Sequence, residues 1–392
     1  MYLDFSHILT EPLTLALTCL LALSLLVLAL YYGLCYMRVG RYAEPKGAQG
    51  EETKALPPVS VVMVAQNDGE WLRSNLVYLL EQDYPDFEVV VVDYMSTDDT
   101  KFVLQLLSEN YKHLKVVRLE QNVSGYEGKK YPLSIGIKSA KNDILLMADP
   151  ECVPRDQEGF GWIRAIVAGY WHEHVDIVLG YSGIVAKNSL FNWLQQYDNV
   201  SYSAEYLAAA MMHRPYTGNG RNLSYRRRLF MENNGFIYHY HEPDGADDMF
   251  VNQNARRHNT GVVLSPESFT MTEPQPTLAL WRKYRKHRSA THRYYSSGLV
   301  ATRLAYPLAV LLFYAAGVAL LLLGTMPWEV LALVLVLKLA WQIVALAQAC
   351  KRLKVPAVVY ALSPLMEIYF LLSNTILRIS PLSRKQPVSG RQ

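Results

Sequence analysis

Long stretches of this sequence carry no charge. Of 392 residues only 19% are Asp, Glu, Lys or Arg, against 51% in the hydrophobic class. The deficit is local, because no charged residue lies from Pro12 to Met37 or from Leu304 to Trp328. A bilayer core takes about 20 apolar residues per helix, so both stretches are long enough to span. A purely soluble globule, a disordered chain and a fibrous repeat are excluded. Cysteine is scarce. Cys19, Cys35, Cys152 and Cys350 form no C-x-x-C pair, which argues against a disulfide framework or a zinc ribbon. The net charge is only +3 and no basic run is dense, so no nucleic-acid partner is expected. Residues 59–67 contain no glycine, which excludes the G-x-G-x-x-G turn of a dehydrogenase, and residues 125–130 do not fit a phosphate-binding P-loop. No internal repeat is present.

The first apolar run is too long for a cleaved signal peptide and ends in the bulky Tyr31, Tyr32 and Tyr36. Residues 1–38 therefore read as an uncleaved transmembrane anchor. Arg38, Arg41 and Lys46 follow it, which places the amino terminus outside and the chain beyond in the cytosol. Residues 39–57 read as a linker. Residues 303–378 supply two to three transmembrane or re-entrant helices, at 304–324, 329–350 and 355–377. The last holds Pro356, Pro364 and Glu367, and a full span would put the basic tail at 379–392 outside, so its topology stays open. Lys338 and Glu367 lie at membrane depth, where charge is costly. They line an acceptor path or pair with each other; the alternative is a snorkelling Lys and a Glu buried in a bundle.

Residues 58–275 alternate β-branched runs with amphipathic stretches, the pattern of βαβ units on a mostly parallel, Rossmann-like sheet. Strands are expected at 59–64, 88–93, 115–119 and 144–149, and helices at 70–81, 98–110 and near 133–140. Ligands of such sheets sit at the strands' carboxyl ends. Asp93 closes one strand, and Ser96 or Thr97 is expected to cap the helix after it. Asp149-Pro150-Glu151 closes another. Its two carboxylates can face one Mg²⁺ or Mn²⁺ ion, although Asp-Pro also opens ordinary turns. Asp244, Asp247 and Asp248 precede the amphipathic run 249–256, either as helix caps or as a rigidly held general base.

In their order these motifs resemble the membrane-bound, inverting family 2 glycosyltransferases of GT-A fold. The resemblance covers residues 58–293 and rests on Pro58-Val-Ser-Val-Val-Met-Val-Ala65-Gln-Asn67, Gln82-Asp83-Tyr84-Pro85 before Asp93, Gly128-Lys129-Lys130, Asp149-Pro150-Glu151-Cys152-Val153-Pro154, Gly218–Tyr225 and Asp247-Asp248. It implies an α/β GT-A catalytic domain flanked by transmembrane helices. It further implies a nucleotide-sugar site at Ala65, Asn67, Asp93, Lys129 and Asp149, and Mg²⁺ or Mn²⁺ on Asp149 and Glu151. The acceptor side falls on Gly220, Arg221 and Asn222, and catalysis on Asp247 and Asp248, with Asp248 as base. The reaction implied is inverting transfer to a lipid-linked or saccharide acceptor at the cytosolic face, in polysaccharide or glycolipid biosynthesis. The setting implied is a bacterial inner membrane, with membrane lipids and a polysaccharide-export or synthase protein as partners.

Three departures qualify the resemblance. Glu151 stands where an Asp is usual, Tyr94 replaces a frequent second Asp, and the segment Trp281–Arg288 lacks the Gln-(Arg/Gln)-x-Arg-Trp pattern of processive synthases. The alternatives are a processive synthase subunit needing a partner and a catalytically degenerate scaffold. Residues 276–302 read as a basic amphipathic helix. It lies on the anionic leaflet, or closes its Arg and Lys residues, Arg285 among them, over the donor diphosphate, or does both.

Overall fold

The structure is a computed structural model; it describes residues 11–44, 56–125, 127–155 and 160–379, with side chains described to residue 373. The chain divides into two compact units.

The first unit comprises residues 1–32, 296–346 and 360–392. Three helices are long and apolar enough to cross a membrane, at Pro12–Gly40, Ser297–Leu323 and Trp328–Arg352. The helix α1 (Pro12–Tyr31) runs on through a π-helical turn, Tyr32–Met37. The third apolar segment breaks into Ala357–Ala361 and Ser363–Ile379 and does not count among these three. The helix after the basic stretch starts at Ser297, where Ser296 caps it, six residues before the expected boundary.

Lys338 and Glu367 pair directly, and both side chains are sealed from solvent. The Lys338 ammonium also donates to Gln342 Oε1 at 2.8 Å and to the Tyr314 hydroxyl at 3.3 Å. Glu367 Oε1 accepts from the Tyr32 and Tyr306 hydroxyls at 2.6 and 2.7 Å. Of the readings open for these residues, mutual pairing is the one the structure takes, and neither snorkels. A charge so placed is tolerable only while every lone pair and proton is matched.

The second unit spans residues 33–295 and 347–359. In chain order its strands begin with β1 (Val59–Ala65), β2 (Phe87–Tyr94), β3 (Leu114–Leu119), β4 (Ile144–Met147) and β5 (Cys152–Pro154). They continue with β6 (Ile177–Leu179), β7 (Ser182–Ile184), β8 (Leu223–Arg226), β9 (Thr260–Val262) and β10 (Thr270–Thr272). Among the described residues a seven-stranded sheet has the order β3-β2-β1-β4-β8-β6-β9, and a smaller sheet the order β5-β10-β7. Strands β1 to β4 are parallel, whereas β8 runs antiparallel to both β4 and β6. Every residue of β1 is buried, as the continuous apolar run requires of a strand covered on both faces.

The crossover helices are α2 (Gly69–Leu80), α3 (Thr100–Asn110) and α4 (Lys130–Ser139). The first turn of α3 is closed differently from the expectation. Neither Ser96 nor Thr97 caps it; Asp98 accepts from the Thr100 amide at 3.0 Å, and its other oxygen accepts from Gly69 at 3.1 Å. A carboxylate reaches two amides where a hydroxyl reaches one. Ser96 and Thr97 instead bond to Asn67.

Glu367→Leu should strand the Lys338 charge and lower stability by about 3–5 kcal/mol, whereas Lys338→Met with Glu367→Leu should recover most of the loss. Thermal unfolding in detergent reads this out; equal losses in the single and double variants would show that the pair is not the element that matters.

Candidate active site

The parallel strands deliver their carboxyl ends to one edge of the sheet. Register pairs Ala65 with Asp93 and Val62 with Met147, so the ends of β1, β2 and β4 lie side by side. Asp93 is buried, and its Oδ1 has no hydrogen-bond partner among the described residues. Asn67 sits in the left-handed region at φ 58°. Its side-chain oxygen accepts from the Thr97 amide at 2.8 Å and its amide donates to Ser96 Oγ at 3.1 Å, which ties the β1 loop to the β2 loop.

Beyond β4, Asp149 lies 3.5 Å from the Lys129 ammonium and 3.7 Å from the Arg221 guanidinium, which also bonds Glu151. Burial pushes the Asp149 carboxyl up, but Lys129 and Arg221 outweigh it and hold it below the usual carboxylate range. Asp149 in turn raises the Lys129 ammonium. The sequence placed Arg221 on the acceptor side; the structure places its guanidinium between the two carboxylates, 4.9 Å from the Tyr284 ring centroid.

A cavity of about 200 Å³ opens beside this pair. The helix α5 (Leu190–Met211) supplies Tyr202, and Asp247 and Asp248 enter the cavity at the start of α6 (Asp248–Asn254). Asp247 Oδ2 accepts from the Gly220 amide at 2.6 Å. Asp248 Oδ2 accepts from the Thr291 hydroxyl and, at 2.9 Å, from the Tyr295 hydroxyl. Asp248 Oδ1 is buried with no partner among the described residues. Burial, followed by the neighbouring Asp247, pushes the Asp248 carboxyl up to about 6. Burial raises Asp247 as well.

The basic stretch forms α7 (Leu278–Ala290), capped by Thr277. Tyr284, His287, Arg288 and Thr291 line the cavity. Their spacing of i, i+3, i+4 and i+7 is one helical face. Arg285 does not line it. Its side chain is 7% exposed, lies 3.4 Å from Asp198 and stacks on Trp281, so the arginine of this helix that lines the cavity is Arg288, which Asp198 also holds at 2.7 Å. Asn222 departs from its expected role too. It is buried, accepts from Trp162 Nε1 at 3.2 Å and donates to the Tyr181 and Ser268 carbonyls at 2.8 and 2.7 Å. All three contacts bind the loop to the core. Sequence reasoning missed Tyr202, Tyr284, His287, Arg288, Thr291 and Tyr295. The stripe of Tyr284, His287 and Arg288 on α7, continued by Thr291 just past its end, was a signal that could have found part of this set.

A mostly parallel sheet with acids at its strand ends and an acidic pair facing the same edge defines a GT-A-type fold. Residues 57–290 match the description "Glycosyltransferase like family 2", and the chain belongs to that family. It is 30% identical over 130 residues to glycosyltransferase AglE of Haloferax volcanii, covering 33% of this chain and 40% of that one. It is 27% identical over 174 residues to a beta-monoglucosyldiacylglycerol synthase of a Nostoc species, covering 40% and 35%. The matches thus span less than half the length of these curated relatives. The mannosyltransferase PcManGT of Pyrobaculum calidifontis, solved with GDP-Man and Mn²⁺, shares the fold with a TM-score of 0.52 at 20% identity, covering 88% of this chain and 99% of that one.

Asn222→Ala should leave buried partners unmatched and cost about 1–3 kcal/mol. A lowered unfolding temperature checks this; an unchanged temperature with altered acceptor use would return Asn222 to the acceptor side.

Proposed function

We propose that the chain transfers a sugar, with inversion, to a hydroxyl of a lipid-linked or saccharide acceptor at the cytosolic membrane face, in polysaccharide or glycolipid biosynthesis. The observation that carries the reading is Asp248, a buried carboxylate on the cavity wall with one oxygen held by two hydroxyls and the other unpaired. The free oxygen takes the proton of the acceptor hydroxyl as that oxygen attacks the anomeric carbon. Thr291 and Tyr295 fix the carboxylate's orientation, and Asp247 holds the Gly220 turn. Ala65, Asn67 and Asp93 receive the nucleotide, where the unpaired Asp93 oxygen suits a donor group of base or ribose. Lys129 and Arg288 bring positive charge to the side where the diphosphate leaves. Three helices able to span a membrane favour a membrane-borne acceptor, as the name of the Nostoc relative does.

Asp149 and Glu151 are the right donor class for a hard divalent cation. Among the described residues no group of three or more His, Cys, Asp or Glu gathers at one point, so such an ion would draw its other ligands from the donor's phosphates. Both carboxylates already share the Arg221 guanidinium, so they fit the ion only once that guanidinium withdraws. When bound, it would neutralise charge on the leaving diphosphate.

Two outcomes are expected. With UDP-, GDP- and dTDP-sugars and purified protein, one donor turns over, and Asp248→Asn loses about 10²- to 10⁴-fold. The base works only when ionised, so the rate should fall as pH drops through about 6, and Tyr295→Phe, by removing a bond to the charged form, should move that midpoint upward. A wild-type chain that neither binds nor turns over any donor would leave the non-catalytic subunit as the reading. Second, Arg221→Gln should tighten Mn²⁺ binding about tenfold, near 1.4 kcal/mol, measured by the paramagnetic resonance of free Mn²⁺; unchanged or weaker binding would take the metal away from Asp149 and Glu151.

A further inference from the structure

The motif Gly128-Lys129-Lys130 places two adjacent lysines in opposite surroundings. Lys129 is half exposed and faces Asp149. Lys130, at the first turn of α4, is 1% exposed. Its ammonium donates to three main-chain carbonyls, those of His239, Glu242 and Asp244, each at 2.8 Å. An ammonium has three N–H groups, so the donor complement is filled. None of the acceptors is a side chain, and all belong to residues 239–244, the segment that leads into Asp247 and Asp248.

The same segment is gripped a second time by the motif. Gly128 has φ 92°, and a Cβ built there would meet the Pro243 carbonyl oxygen, so the backbones lie in direct contact. Next in the chain comes Gly245, at φ 80°, where a Cβ would press on Asp248 Oδ1 and Thr291. The segment therefore has little freedom at either end of the turn that aims the Asp248 carboxylate.

We propose that Lys130 is the positioning residue of the base: it fixes residues 239–244 through their carbonyls and so holds Asp248 on the cavity wall, while its neighbour Lys129 serves the donor side. This rests on Asp248 being the base. A buried lysine serving only stability would find any convenient carboxylate. This one spends every proton on the segment ahead of the acids, and the adjacent residue reaches the other acidic cluster. The charged and titratable groups around it are Glu242, Asp244, Asp247 and Asp248, with His239 also near. Burial pushes the Lys130 ammonium down to about 8. A neutral amine has two N–H groups for three carbonyls, so the clamp loosens on the alkaline side.

Hydrogen–deuterium exchange and donor hydrolysis on the full chain in detergent test this. Lys130→Met should raise exchange across 239–247 at least tenfold and lower kcat about 100-fold, with KM for the donor within twofold of wild type. Lys129→Met should instead raise KM and leave that exchange unchanged. Lys130→Arg, which keeps charge and donors, should restore part of both. In the wild type, which carries no folding risk, protection of 239–247 corrected for intrinsic rate should fall from pH 7 to pH 9 while that of β4 stays constant. Wild-type protection of 239–247 that is flat with pH, or Lys130→Met altering KM and kcat in the same proportion as Lys129→Met, would overturn the proposal. If Asp248→Asn keeps its activity while Lys130→Met still frees the segment, the clamp stands as structure but the positioning of a base falls with the base.

Discussion

Carboxylates crowded at the edge of one sheet repel one another and resist burial, and the site is organised around that constraint. Asp149, Asp244, Asp247 and Asp248 line a single cleft, Glu151 shares the Arg221 guanidinium with Asp149, and the relief differs from place to place. Asp244 meets His287 at 3.1 Å. Asp247 accepts a main-chain amide. Asp248 has hydroxyl donors on one oxygen only, and burial beside Asp247 pushes its carboxyl up to about 6. Its other oxygen is buried with no partner among the described residues.

The same constraint explains why the cations differ in kind. Arg221 presents a planar fork that can meet two carboxylates at once. Lys130 is a compact point donor that suits a cage of carbonyls. Arg285 and Arg288 share Asp198, which fastens α7 to α5 and leaves one face of α7 for the cavity. In the unit that holds the long apolar helices a similar balance is struck around Lys338 and Glu367, where tyrosine hydroxyls complete the shell. In both units a buried charge is matched by geometry rather than by solvent.

Much of the fold was legible because the signals that specify it are short-ranged. Four valines before Asp93 declare a strand covered on both faces, and the structure extends that strand by one residue at each end. The stretch 144–147 ends two residues earlier than expected, because Asp149 and Pro150 already belong to the turn. The misreadings are of another kind. Arg285 and Arg288 lie three residues apart on one helix, and both are basic; which one meets the cleft is set by where Asp198 and Trp281 sit. Asn222 looks like an exposed loop polar residue until Trp162, sixty residues earlier, is found against it.

Sequence alone therefore determined the long apolar helices, the βαβ order and the acids that follow the strands, since hydrophobic runs and periodicities of two and 3.6 are properties of neighbouring residues. Only the tertiary structure decided the partners: Arg221 for Glu151 across 70 positions, Tyr295 for Asp248 across 47, and Lys130 for a segment more than a hundred residues on. Those distances are closed by the sheet's topology, and a pattern that repeats every few residues carries no information about it.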